Sequence, residues 1–137
     1  VSVVVLDSSV ALSWCFEDET SPETETILDR VRVEGAMVPG LWHVEVANVL
    51  VQVERRGRLT LSDVGEAIAL LSRLRVAVDD ETTARAWREI LGLARAERLT
   101  AYDASYLELA IRRGLPLATK DRALARAARR AGVNVLP

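Results

Sequence analysis

The chain has 137 residues, half of them hydrophobic, which is enough to bury one sizeable core and too little for two ordinary domains. Its net charge of -2 does not advertise a nucleic-acid binder, although basic residues gather at Arg55-Arg56-Gly57-Arg58 and from Lys120 to Arg130. The single cysteine, Cys15, excludes an internal disulfide and any multi-cysteine metal site; a reducing, cytoplasmic setting is expected, with no signal peptide and no run near the roughly 18 to 20 apolar residues of a membrane span.

Val3-Val4-Val5-Leu6 is an apolar, mostly β-branched run that stops at Asp7, the pattern of a strand buried on both faces. Ser8 or Ser9 is placed to cap a short helix through Phe16, and Glu17 to Pro22 reads as a polar loop before a helix from about Glu23 to Val33. Gly35-Ala36-Met37-Val38-Pro39-Gly40 reads as a short strand closed by Pro-Gly. A helix follows from about Trp42 to Arg56, ending at Gly57. Val64, Ile68 and Leu71 mark a further amphipathic helix over 62–74. Val76-Ala77-Val78 is the third strand, and Asp79-Asp80-Glu81 is an acidic helix start, with Trp87, Leu91 and Ala94 on the helix's apolar face. Thr100 with Asp103 three residues on resembles a capping box, opening a helix to about Arg113 that ends at Gly114. Leu117-Ala118-Thr119 is the fourth strand, Asp121 to Ala131 a helix, and Val133-Asn134-Val135 the last strand. Short apolar strands alternating with helices predict a single α/β domain over 1–137, a sandwich with a mainly parallel sheet.

In such sheets the functional crevice lies beyond the carboxyl ends of the strands, where Asp7 and Asp121 stand. Asp103 and Glu45 lie early in helices, whose starts face the same crevice. Four acids from four separate segments are thus able to converge on one pocket. Converging carboxylates repel unless cations intervene, and hard oxygen ligands suit Mg²⁺ or Mn²⁺ rather than zinc. An ion so held activates water and polarises a phosphoryl oxygen, which points to hydrolysis of a nucleic-acid backbone.

Each acid also has a plainer reading: Asp7 and Asp121 as helix N-caps, Asp103 as a capping-box member, Glu45 as a solvent-facing helix residue. A receiver-like signalling domain needs an acid pair after the first strand, where Asp7 is followed by serines. A phosphatase of the haloacid dehalogenase kind needs an acid two residues on, where Ser9 stands. A catalytically silent binding module on the same fold would not need all four acids.

Four segments, Val5-Leu6-Asp7-Ser8-Ser9, Glu45 to Leu50, Thr100 to Tyr106 and Leu117 to Asp121, occur in an order and spacing by which the sequence resembles the PIN-domain family, specifically the VapC-like toxins of toxin-antitoxin pairs. The resemblance covers nearly the whole chain. It implies a PIN-like three-layer α/β/α sandwich with a five-stranded sheet, Mg²⁺- or Mn²⁺-dependent endoribonuclease activity and inhibition by a VapB-like antitoxin. It also implies that Asp7, Glu45, Asp103 and Asp121 hold the metal and orient the attacking water, Asp7 and Asp103 directly, Glu45 and Asp121 partly through bound water. Thr119 matches a position that supports the acids by hydrogen bonding; Ser8 and Asn48 are expected to do the same or to cap backbone locally.

Lys120, Arg122 and Arg126 are candidate RNA contacts, with solvated charge as the alternative. His43 reads as a surface or structural histidine, and Trp14, Trp42, Trp87, Cys15 and Phe16 as core. Tyr102 and Tyr106, flanking Asp103, stay open. The helices with Val49, Leu50 and Val53 and with Ile68, Leu70 and Leu71 carry surplus apolar surface, which predicts a homodimer and an antitoxin groove.

Overall fold

In the computed structural model, which describes residues 3–137, five short strands form one sheet: β1 (Val4–Leu6), β2 (Ala36–Val38), β3 (Val76–Val78), β4 (Leu117–Ala118) and β5 (Val135–Leu136). Their order is β3-β2-β1-β4-β5 and every pairing is parallel. The β-branched run at the start of the chain thus becomes the central strand, and Val4, Val5 and Leu6 are fully buried. From β1 the chain steps outward to β2 and β3, then returns to the other flank of β1 as β4. The order reverses between β1 and β4, and a reversal of this kind opens a crevice at the carboxyl ends of the two strands.

Parallel neighbours require covering crossovers, and the helices supply them. Helices α1 (Ser8–Ser13) and α2 (Pro22–Glu34) link β1 to β2; α3 (Trp42–Arg55) and α4 (Leu61–Ser72) link β2 to β3. Between β3 and β4 come α5 (Thr82–Arg85), a π-helical segment (Ala86–Ile90), α6 (Leu91–Glu97) and α7 (Ala101–Arg113); α8 (Arg122–Arg130) joins β4 to β5. Right-handed crossovers put the links leading away from β1 on one face and those leading back on the other. The packing agrees, α1 and α4 each meeting α3, and α6 and α8 each meeting α7. Layers of helix, sheet and helix enclose a core in which Tyr106, Leu107, Leu109, Leu117 and Leu124 are the larger buried side chains. No helix among the described residues is long and apolar enough to cross a membrane.

Local chemistry sets the boundaries. Ser21 and Thr24 close a capping box on α2, with Pro22 as its first residue, and Thr60 and Asp63 do the same for α4. Gly114 ends α7 in the left-handed conformation, at φ 63°.

Several details depart from the sequence reading. Glu17–Glu19 winds into one 3-10 turn instead of an open loop, and the last strand lies at Val135–Leu136, beyond Val133–Val135. Neither Ser8 nor Ser9 caps α1; Asp7 holds that position and makes no side-chain cap bond, because its carboxylate is engaged elsewhere. Asp79 to Glu81 form a turn rather than a helical start. Trp87 is not core: it is 92% exposed, while Ile90 and Ala94 of the same helical stretch are buried. The π-helical segment is the reason. Its wider turn takes up an extra residue, so the apolar face set by 3.6-residue periodicity slips and Trp87 turns outward.

Candidate carboxylate metal site

The crevice between β1 and β4 is where the predicted acids meet. Asp7 follows β1 directly, and its N–H donates to Ala118 O of β4 at 3.0 Å. Asp121 follows β4 as the N-cap of α8, accepting from the Leu124 N–H at 2.8 Å. Glu45 lies in the first turn of α3, and Asp103 in the first turn of α7. Each acid therefore stands at a helix start, where the positive end of the helix dipole offsets part of their mutual repulsion.

Electrostatics records the convergence. Burial pushes the Asp103 carboxyl up to about 6, helped by the charges of Asp121, Asp7 and Glu45. Asp7, only 4% exposed, is raised mainly by burial and also by Asp121, against the hydrogen bonds of Thr119 and Ser9, which favour its charged form. Glu45 is raised by burial, with Asp7 adding to the rise and a bond from Tyr106 opposing it. Four segments remote in sequence thus feel one another's charge.

Hydroxyl groups fix the acids in place. Thr119 Oγ1 donates to Asp7 Oδ2 at 2.6 Å and accepts from the Asp121 N–H at 3.0 Å, so one buried side chain ties two of the acids together. Ser9 Oγ donates to the same Asp7 oxygen at 2.8 Å and accepts from the Lys120 N–H at 3.0 Å. The buried Tyr106 hydroxyl donates to Glu45 Oε1. Thr119 is thus where the sequence placed it. Ser9 and Tyr106 were not assigned to the site, although Ser9 follows Asp7 by two residues and Tyr106 lies one helical turn from Asp103. Ser8, half-buried, lies against the Tyr106 hydroxyl. Asn48 is exposed and accepts from Gln52 at 3.4 Å, with no bond to the acids.

The plainer readings divide. The Asp121 side chain does cap its helix, whereas Asp7, at the N-cap position of α1, makes no side-chain cap bond. Thr100 caps α7 by accepting from the Asp103 N–H at 3.1 Å, without the reciprocal bond seen at Thr60 and Asp63. The Asp103 carboxylate is left to the crevice.

Among the described residues, the acidic oxygens that gather within 4.8 Å of one another are those of Asp79, Asp80 and Glu81, at the end of β3. Two of that trio, Asp79 and Glu81, are already engaged by arginine. Arg112 grips both Asp79 oxygens at 2.7 and 3.2 Å, reaches Glu81 at 3.2 Å and binds Glu108 at 2.8 Å. No ion pair of the described residues involves Asp7, Glu45, Asp103 or Asp121. Their all-oxygen donor set, without a basic partner and more widely spaced than the trio, suits a hard divalent cation that keeps some of its water.

The remaining candidates lie around this crevice. Lys120 is exposed and pairs with Glu19 at 3.7 Å, and Arg122 and Arg126 are exposed on α8. His43 is exposed, its ring edge-on to buried Trp42 with centroids 4.8 Å apart, so it lies on the surface and outside the acid cluster.

A parallel sheet with order reversal beside its central strand, and carboxylates gathered beyond that reversal, defines an α/β domain with an acidic site at its switch point. The chain belongs to the PIN domain family, whose model matches residues 4–130. Its fold is similar to that of PAE2754 from Pyrobaculum aerophilum, at 24% identity and a TM-score of 0.71 over 98% of this chain and 90% of that one. It is likewise similar to FitAcB from Neisseria gonorrhoeae (19% identity, TM-score 0.68, 98% of this chain and 97% of that one). FitAB bound to an IR36 DNA fragment is a third similar structure, at 16% identity and a TM-score of 0.69 over 98% of this chain and 94% of that one. Among curated protein sequences none matches significantly.

Proposed function

We propose that this PIN domain is a metal-dependent endoribonuclease, acting as the toxin of a VapBC-like toxin-antitoxin pair in the cytoplasm. The observation that carries the reading is the convergence of Asp7, Glu45, Asp103 and Asp121 on one crevice, where none of them joins an ion pair of the described residues. PIN domains are generally nucleases that bind divalent metals, and the donor chemistry here fits Mg²⁺ or Mn²⁺. Such an ion, when bound, supplies charge neutralisation, an acidified water and polarisation of a phosphoryl oxygen. The chain's own residues do the positioning. Thr119 and Ser9 hold Asp7 against rotation, Tyr106 holds Glu45, and the cap bond to Leu124 holds Asp121. Asp103 is the acid least restrained by hydrogen bonds, free to adjust as the charge in the crevice changes.

The partner reading rests on surface. Between α3 and α4 runs a groove of about 520 Å³ lined by Trp42, Val46, Leu50, Val64, Ile68 and Leu71. Leu50 and Val53, expected to be surplus, turn into the core; Ile68 remains exposed, as do Val44, Val51 and Leu61. An apolar segment of a VapB-like antitoxin is the proposed occupant of the groove, and a homodimer is the proposed use of the remaining exposed apolar positions. The likeness to FitAB, a protein seen bound to DNA, agrees with a nucleic-acid setting.

The test is incubation of a mixed RNA pool with the purified, antitoxin-free protein and Mg²⁺, Mn²⁺ or EDTA, beside Asp7→Asn and Asp103→Asn. Metal-dependent cutting reduced at least roughly 100-fold in both variants is expected, since each removes a charge from the metal's own ligands. RNA left intact by folded, metal-loaded protein would favour a silent binding module instead.

A further inference from the structure

Helix α8 carries Arg122, Arg126 and Arg129 at spacings of four and three, so they share one face. The other face, with Leu124, Ala127 and Ala128, is buried. All three arginines are exposed and none joins an ion pair of the described residues, whereas the next residue, Arg130, is held by Glu97 at 2.8 Å. Exposed arginines are ordinary; Arg88 and Arg95 are others. What distinguishes this set is a cleft. With Lys120 the three arginines line a depression of about 480 Å³ that is also lined by Thr119 and Asp121, and so opens directly beside the acid site.

We infer that this cleft carries the sugar-phosphate backbone of the RNA strand on one side of the bond to be cut. The inference rests on the nuclease reading above. Four converging carboxylates repel a polyanion, and a chain of net charge -2 offers no general attraction to overcome that. The attraction has to be local, and the cleft sets four cations against the single acid Asp121. Guanidinium groups suit phosphate oxygens because they donate in a planar fork. From Arg122 to Arg129 the helix rises about 10 Å, a span that follows a strand rather than a single anion. An unpaired strand fits best: Tyr102, beside Asp103 and 63% exposed, offers its ring to an unstacked base.

The experiment measures binding apart from cutting. A short, labelled, mixed-sequence single-stranded RNA is titrated with protein in EDTA, by fluorescence anisotropy over a range of salt. The unaltered chain is compared with Arg126→Ala/Arg129→Ala and with the charge-matched pair Arg88→Ala/Arg95→Ala, all exposed positions that leave the core untouched. Loss of two phosphate contacts should weaken binding roughly 25-fold at 0.1 M salt and lower the slope of log affinity against log salt by about 1.4, while the control pair keeps both. Equal losses in the two pairs, or no loss in the α8 pair, overturn the assignment. A parallel digestion with Mn²⁺ separates this inference from the reading beneath it. RNA cut by the unaltered chain, with binding undiminished in the α8 pair, overturns the cleft and leaves the nuclease standing. RNA held through α8 but never cut overturns the nuclease and leaves the cleft.

Discussion

The Thr119 hydroxyl is spent twice, donating to Asp7 and accepting from the Asp121 amide, from a side chain that is buried. Thr119→Val keeps the shape and removes both. The expected result is a loss of roughly 10- to 100-fold in Mn²⁺ affinity, read by calorimetric titration, with the circular dichroism spectrum retained. An unchanged affinity would mean that Asp7 needs no such brace. Asp7 was legible in the sequence because it stands immediately past an apolar run, where a parallel sheet has to end; Thr119 was reached through the family resemblance. Ser9 and Tyr106 were not, for a physical reason. A serine after a strand offers a hydroxyl to backbone or to a carboxylate with equal ease, and only the side-chain direction, set by the fold, decides between them. Tyr106 stayed open in the sequence because an aromatic beside a site serves core or ligand alike; it is core, and its hydroxyl reaches the site.

At the scale of elements, apolar runs and periods located the five strands and the longer helices, and glycines marked the ends at Gly57 and Gly114, while the 3-10 turn at Glu17–Glu19 and the caps at Ser21 and Thr60 went unread. The failure at Trp87 is instructive because the pattern there was good: Trp87, Leu91 and Ala94 recur at helical spacing. A π-helical turn is invisible to that pattern, since it shifts the face without changing the composition. The consequence is measurable by urea unfolding. Trp87→Ala should leave stability within about 0.5 kcal/mol, as an exposed substitution does, whereas Ile90→Ala should cost about 2 to 5 kcal/mol by emptying a buried site between α6 and α7. The reverse ranking would put Trp87 under cover in solution. Beside this stretch, Arg112 of α7 binds Asp79 and Glu81, just past β3, as well as Glu108, and Arg85 of α5 binds Glu81 and, in the π-helical segment, Glu89. No sequence pattern announces that network, whose members are 33 positions apart at Asp79 and Arg112.

For the molecule as a whole, the acidic crevice sets fold stability against metal-free chemistry. Between the ordinary carboxyl value of 3.8 and about 6, folded Asp103 keeps a proton that the unfolded chain has released. Its contribution to the stability of the metal-free fold is therefore complete below about 4 and is lost as pH rises through about 6. Bound metal acts in the opposite sense, because it needs the charged form. Mn²⁺ at about a hundred times its Kd should raise the unfolding free energy by about 2.7 kcal/mol at neutral pH. The rise in Tm at fixed Mn²⁺ should shrink as pH falls through about 6; a rise that ignores pH would detach the metal from Asp103.

The strand order has one more consequence, in time rather than in space. Of the five strands the central one is the earliest in the chain, and although β2 follows it closely, its other neighbour, β4, is the fourth of five and lies more than a hundred residues away. Asp7 is synthesised early and Asp121 late. Whatever chemistry the four acids perform together, a growing polypeptide cannot perform it until the segment that carries Asp121 has been made, more than a hundred residues after Asp7.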